Sequence, residues 1–196
     1  MTNKNNSFRQ TNAYAMQYGA LLGCVSVGAF AAFVGTFAYQ VLSTLALLLS
    51  VAVPVLTCLF TLRFRDQVVE RTEAFSFGRG FLHALLLLFY SGVWVALAVF
   101  VYFAYIDKGF FIDAYITTLQ SPEVQAVLEQ NSTLREMYGT SGTEEMEFVI
   151  EQMRQLSASH FSAFSVYVNM MTAPVLAFVV GLVARRSGKH THMPLS

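Results

Sequence analysis

Four runs of more than twenty residues, 13–38, 41–62, 81–106 and 161–184, contain no Asp, Glu, Lys or Arg. A helix rising 1.5 Å per residue needs about twenty residues to cross a hydrocarbon layer of roughly 30 Å, so each run is long enough to span a bilayer. A helix of a soluble protein carries a polar face, and none of these runs has one wide enough. Composition points the same way: 55% of the chain is hydrophobic and 12% charged, against about a quarter charged in soluble proteins. The expected fold is therefore all-α, a four-helix transmembrane bundle whose partner is the lipid bilayer. At 196 residues the chain is expected to form one membrane domain, 1–196, too short to add a large enzyme module.

Orientation follows from the basic residues, which are retained on the cytoplasmic side. Lys4 and Arg9 precede the first run; Arg63, Arg65, Arg71 and Arg79 lie between the second and third; Arg185, Arg186 and Lys189 follow the fourth. Lys108, Arg135 and Arg154 fall in the long loop 107–160, which carries nine acidic residues, while Asp66, Glu70 and Glu73 lie on the basic side. The reading is N-in/C-in, with the acidic loop outside. Aromatic residues mark the boundaries: Tyr14, Tyr18, Phe64, Phe75 and Phe77 at the inner interface, Tyr39, Tyr102, Tyr105 and Tyr167 at the outer one. Lys4 and Arg9 before an apolar run, with Ala29-Phe30-Ala31 behind, resemble a signal peptide, but the run exceeds the 7–15 residues of a signal core.

Within the spans the first helix is rich in small residues. Gly19 and Gly23 stand in G-x-x-x-G spacing, and Cys24, Gly28, Ala31 and Gly35 continue the stripe. Such a face lets backbones approach, which makes this helix the expected hub; a homo-oligomer contact through the same stripe is the alternative use. Pro54 and Pro174 each release a carbonyl one turn earlier, on Ser50 and Met170, which Thr57, Asn169 or Thr172 are placed to satisfy. Aligning the prolines also aligns Pro54-Val55-Leu56 with Pro174-Val175-Leu176 and Arg65 with Arg185, a faint two-hairpin repeat of the kind that underlies many transporters.

Residues that carry chemistry are scarce. His83 is the one ionisable side chain inside a run. Two residues from the start of the third run, it is expected to sit at the interface and reach headgroups or water rather than relay protons. Cys24 and Cys58, the only cysteines, fall at different depths, so neither a disulfide nor a shared metal site is expected. His190 and His192 form an H-x-H pair without carboxylate or thiol neighbours. Gly78-Arg79-Gly80 lacks the strand and further glycine of a phosphate loop, and the loop carboxylates Glu144 and Glu145 have no apolar surroundings to shift them. No catalytic, cofactor-binding or metal residue is assigned, and the balanced charge offers no field for nucleic acid.

The loop is expected to hold two short helices. Ser121-Pro122-Glu123 supplies an N-cap, a first-turn proline and an acid matched to the helix dipole. Thr143 caps a second helix with Glu144 and Glu145 in its first turn, whose Met146, Val149, Ile150, Met153 and Leu156 form an apolar stripe. That stripe is expected to pack on the bundle, with a protein partner as the alternative; its acidic opposite face disfavours anionic headgroups. Asn131-Ser132-Thr133 matches a glycosylation sequon.

The run Ser76-Phe77-Gly78-Arg79-Gly80-Phe81 opening the third helix, Ile106-Asp107 at its exit, and the Glu- and Met-rich segment 144–153 resemble the bacterial membrane family of domain of unknown function 4199 (DUF4199). The family pattern continues Ile-Asp with proline, where this chain has Lys108. The resemblance covers nearly the whole chain. It implies a Bacteroidota-type inner-membrane protein with a periplasmic loop, and carries over no catalytic residue. The functional expectation is a non-enzymatic scaffold, accessory or interaction subunit. The alternative is a small transporter or channel lined by Ser50, Thr57, Trp94, Asn169 and Thr172.

Overall fold

The computed structural model describes residues 2–69 and 74–187, with side chains from residue 7 onward. The side chain of Lys4, and Glu70, Arg71, Glu73, Lys189, His190 and His192, lie outside the described residues. The described chain is all helical apart from one isolated bridge: α1 (Thr2–Gly35), α2 (Leu42–Val68), α3 (Phe77–Val101, continued by a π-helical turn Tyr102–Ile106), α4 (Phe110–Leu119), α5 (Pro122–Gln130), α6 (Ser132–Tyr138), α7 (Glu144–Arg154) and α8 (Ala158–Ala184). Four helices are long and apolar enough to cross a membrane: Ser7–Gly35, Leu42–Val68, Phe77–Ile106 and Ala158–Ala184. The contacts divide the chain into two compact units, one made of residues up to Ala98 and from Ala163 onward, the other Val99–Ser162.

In the first unit, close approach of backbones holds the helices together. Gly19 lies so near α3 that a Cβ there would stand 2.6 Å from the Cβ of Tyr90 and 2.9 Å from the carbonyl oxygen of Leu87. A Cβ on Gly23 would meet Trp94 at 2.8 Å. The two glycines of the G-x-x-x-G pair are thus buried against α3, while Cys24 and Ala31 of the same stripe are exposed. Gly92 admits Asn169 of α8 in the same way, and Gly181 admits the backbone of Phe81. Leu22, Leu87, Leu88, Ala15 and Ala173 form the core between these contacts.

Helix α3 begins at Phe77, four residues before the apolar run at 81, because Ser76 accepts a hydrogen bond from the Arg79 amide and acts as its cap. Just before it, Phe75 and Arg186 exchange two backbone hydrogen bonds of 2.9 and 3.1 Å, joining the entry of α3 to the exit of α8. Beside them Arg186 donates to Asp66 and to the Val69 carbonyl, and Arg65 to the Ala184 carbonyl. Helices α2 and α8 run unbroken through Pro54 and Pro174. The side chains expected to serve Ser50 and Met170 bond elsewhere: Thr57 to Val53 O, Thr172 to Val168 O, and Asn169 Nδ2 to Leu88 O. A threonine hydroxyl on a helix reaches the carbonyl three or four residues back, and neither target lies there.

The second unit holds four helices, not two. Ser121 and Thr143 cap α5 and α7 as the sequence predicts, and Asn131, the sequon asparagine, caps α6 by accepting from the Leu134 amide. The apolar stripe of α7 does not need the bundle: Met146, 1% exposed, packs with Leu119 of α4 and Leu128 of α5. Ile150, Met153, Leu134 and Tyr138 close over this small core. Burial, and then the Tyr138 phenol beside it, push the Tyr115 hydroxyl above its ordinary pKa.

Gly19→Ala is expected to lower stability by about 1–3 kcal/mol through overpacking against α3. Gly28→Ala, whose Cβ would meet only Leu49 at an ordinary 3.8 Å, should change it little; reversible unfolding in mixed micelles distinguishes the two.

Candidate functional site

An imidazole inside a membrane-spanning helix is the first place to look for function. Because α3 starts at Phe77, His83 stands nearly two turns into it and is 0% exposed. The expected interfacial role is overturned by this burial. Phe64 of α2 stacks on the imidazole at 4.1 Å and 4°, and Tyr18 of α1 meets it edge-on at 6.2 Å. Phe64 and Phe75, expected near the inner interface, are buried in the same cluster, with Tyr14 packed against Phe64.

The hydrogen bonds of Thr61 place a proton on Nδ1 of the imidazole. Thr61 Oγ1 donates its one hydrogen to the Thr57 carbonyl at 2.9 Å, so its contact of 3.1 Å with His83 Nδ1 must be accepted from an Nδ1–H. Nε2 is buried and without a hydrogen-bond partner among the described residues. One turn earlier on the same face, the Arg79 guanidinium lies 5.5 Å from the Phe64 ring and 6.0 Å from that of Phe75. Its Nη2 donates to Gln10 at 2.9 Å, while its Nε is buried and unpaired among the described residues. Tyr18 stacks on Phe60 and donates to Gln67. The arrangement is a polar thread, Thr57–Thr61–His83, through an aromatic packing layer, with the buried imidazole as its end. Thr61, Phe64 and Arg79 escape a reading of sequence because their roles depend on which faces α2 and α3 turn to one another; the signal that was present is Ser76, whose cap moves His83 inward.

The other candidates do not converge. Thr57 is buried, Ser50, Trp94 and Thr172 are exposed, and Asn169 fills the space at Gly92, so the five residues considered for a conduction route differ in burial. Ser50 opens instead onto a groove of about 470 Å³ between α1 and α2, with Ala29, Phe33 and Ser43. Cys24 and Cys58 are both free thiols. Among the described residues no three His, Cys, Asp or Glu side chains come together as a metal-holding group. Glu144 and Glu145 are exposed.

Residues 14–186 match the family model described as "Protein of unknown function (DUF4199)". The chain belongs to that family. No curated protein and no solved structure matches it. Within this DUF4199 protein, Lys108 follows Ile106-Asp107 with a φ of +49°, a left-handed backbone conformation that proline cannot adopt.

Thr61→Val strips the acceptor from the buried Nδ1–H and should cost about 1–3 kcal/mol. In a His83→Phe background the same change should cost much less, a coupling that a double-mutant cycle in mixed micelles measures.

Proposed function

We propose that this protein is a non-enzymatic, multi-pass inner-membrane scaffold or accessory subunit of Bacteroidota type. Both termini lie in the cytoplasm, and the Val99–Ser162 unit is offered to a protein partner in the periplasm. The orientation rests on the basic residues, nine of twelve of which fall on the side of the termini and the α2–α3 connection. The partner reading rests on the core of Leu119, Leu128 and Met146. A unit that buries its own apolar stripe does not need its remaining large apolar residues for folding. Val127 at 55%, Met137 at 60% and Phe148 at 65% exposure, one on each of α5, α6 and α7, are the residues available for contact. A homo-oligomer through α1 draws no support from Gly19 and Gly23, which already face α3; it would have to use Cys24 and Ala31.

Two measurements test this reading. A membrane-impermeant maleimide added to intact spheroplasts should label Ser141→Cys and leave Ser187→Cys unlabelled; the reverse pattern ends the orientation. A photo-crosslinker at Met137 should yield a discrete heterologous adduct in the native host that Phe148→Glu removes while the melting temperature stays unchanged. Adducts that persist in that variant, or none at all, reject the partner role. Met146→Glu, by contrast, should melt the unit itself and abolish the adduct through unfolding, seen as increased protease sensitivity between Leu119 and Arg154.

A further inference from the structure

A cavity of about 310 Å³ opens where α3 ends and α8 begins. Its walls join two aromatic residues, Phe103 and Phe161, to four charged ones, Asp107, Lys108, Asp113 and Arg154. The rings of Phe103 and Phe161 stack at 3.9 Å and 10°, with Phe111 edge-on to both at 5.4 and 5.9 Å. Phe103 belongs to the last turn of the third apolar span and Phe161 to the first turn of the fourth, whereas every charged residue lies just beyond the spans. The cavity therefore straddles the level at which hydrocarbon gives way to headgroups.

We propose that this cavity holds the headgroup of a zwitterionic phospholipid. Its charges are not equally available. Asp107 is buried and saturated: its carboxylate accepts from the amides of Gly109 at 3.1 Å and Phe111 at 2.9 Å, and from the Tyr102 hydroxyl. It anchors the turn and is not a ligand group. Lys108, exposed and held at φ +49° by that turn, makes no ion pair among the described residues. Arg154 touches Asp113 through one long contact of 3.5 Å, both side chains more than half exposed. Two cations and one carboxylate thus face the opening. A phosphodiester is matched by Lys108 and by the free donors of Arg154. An ammonium on the same headgroup is matched by Asp113, which a purely anionic headgroup would leave opposite its phosphate, like charge to like. The stacked rings supply an apolar floor for the first carbons of the acyl chains. The π-helical turn Tyr102–Ile106, a local widening frequent at binding sites, carries Phe103 in the cavity wall.

The test uses the full-length, delipidated protein in detergent, with lipid dissociation constants read by native mass spectrometry. The probes are dioleoyl phosphatidylethanolamine, dioleoyl phosphatidylglycerol and chain-free glycerophosphoethanolamine. Phosphatidylethanolamine should bind tighter than phosphatidylglycerol by about tenfold, the worth of one charge-assisted contact. Asp113→Asn should erase that preference by weakening phosphatidylethanolamine alone. The double variant Lys108→Asn, Arg154→Gln should weaken both lipids; asparagine suits the left-handed backbone, so the turn is kept. Equal or tighter binding of phosphatidylglycerol, or a preference that survives Asp113→Asn, overturns the proposal. So does displacement by glycerophosphoethanolamine as effective as by the lipid, which would make the ligand a soluble phosphodiester. Melting temperatures matching the wild type certify the variants, and Asp113→Asn alone decides the matter if the double variant melts early.

Discussion

A backbone amide in hydrocarbon has no water to bond, so every residue of the four spans must close its hydrogen bonds within its own helix. Once that condition is met, lipid gives the helices no hydrophobic reason to associate, and the bundle depends on how closely their surfaces can meet. This is why the contacts at Gly19, Gly23, Gly92 and Gly181 matter more than their size suggests. Each lets a neighbouring side chain or backbone occupy the place of a Cβ. The polar thread through Thr57, Thr61 and His83 is possible only in such a tightly closed region, where one hydroxyl serves as donor and acceptor at once.

The two units solve opposite solvent problems with different residues. The first uses small residues and aromatic stacking, and turns Val, Leu and Phe outward along all four spans. The second buries Leu119, Leu128 and Met146 and turns every carboxylate but that of Asp107 outward, as a water-soluble helical module does. Helix capping reflects the same division. Ser121, Asn131 and Thr143 supply side-chain caps to the short helices, which are too short to be stable by propensity alone.

The long charge-free runs made the four spans legible, because no other environment tolerates them. The caps at Ser121 and Thr143 were legible as well, since their chemistry is local. What escaped depended on tertiary partners. The stripe of Met146, Ile150 and Met153 announces that something must cover it, but not that α4 and α5 do so. Helix α4 starts after Gly109, which supplies no side-chain cap, so Asp107 and Lys108 read as the start of a loop despite the spacing of Ile112, Ile116 and Leu119. Counting from Phe81 puts His83 at the membrane interface, and the cap at Ser76 deepens it by a turn.

The pairing of Phe75 with Arg186 bears on how the chain is assembled. The two residues are separated by α3, the whole second unit and α8, so their twin backbone bonds cannot form until α8 has been synthesised. Until the final span has been delivered to the bilayer, the amide and carbonyl of Phe75 lack this partner and its ring lacks the neighbour Ala184. Closure of this end of the bundle thus waits for α8: a nascent chain halted before it would leave the entry of α3 unlatched.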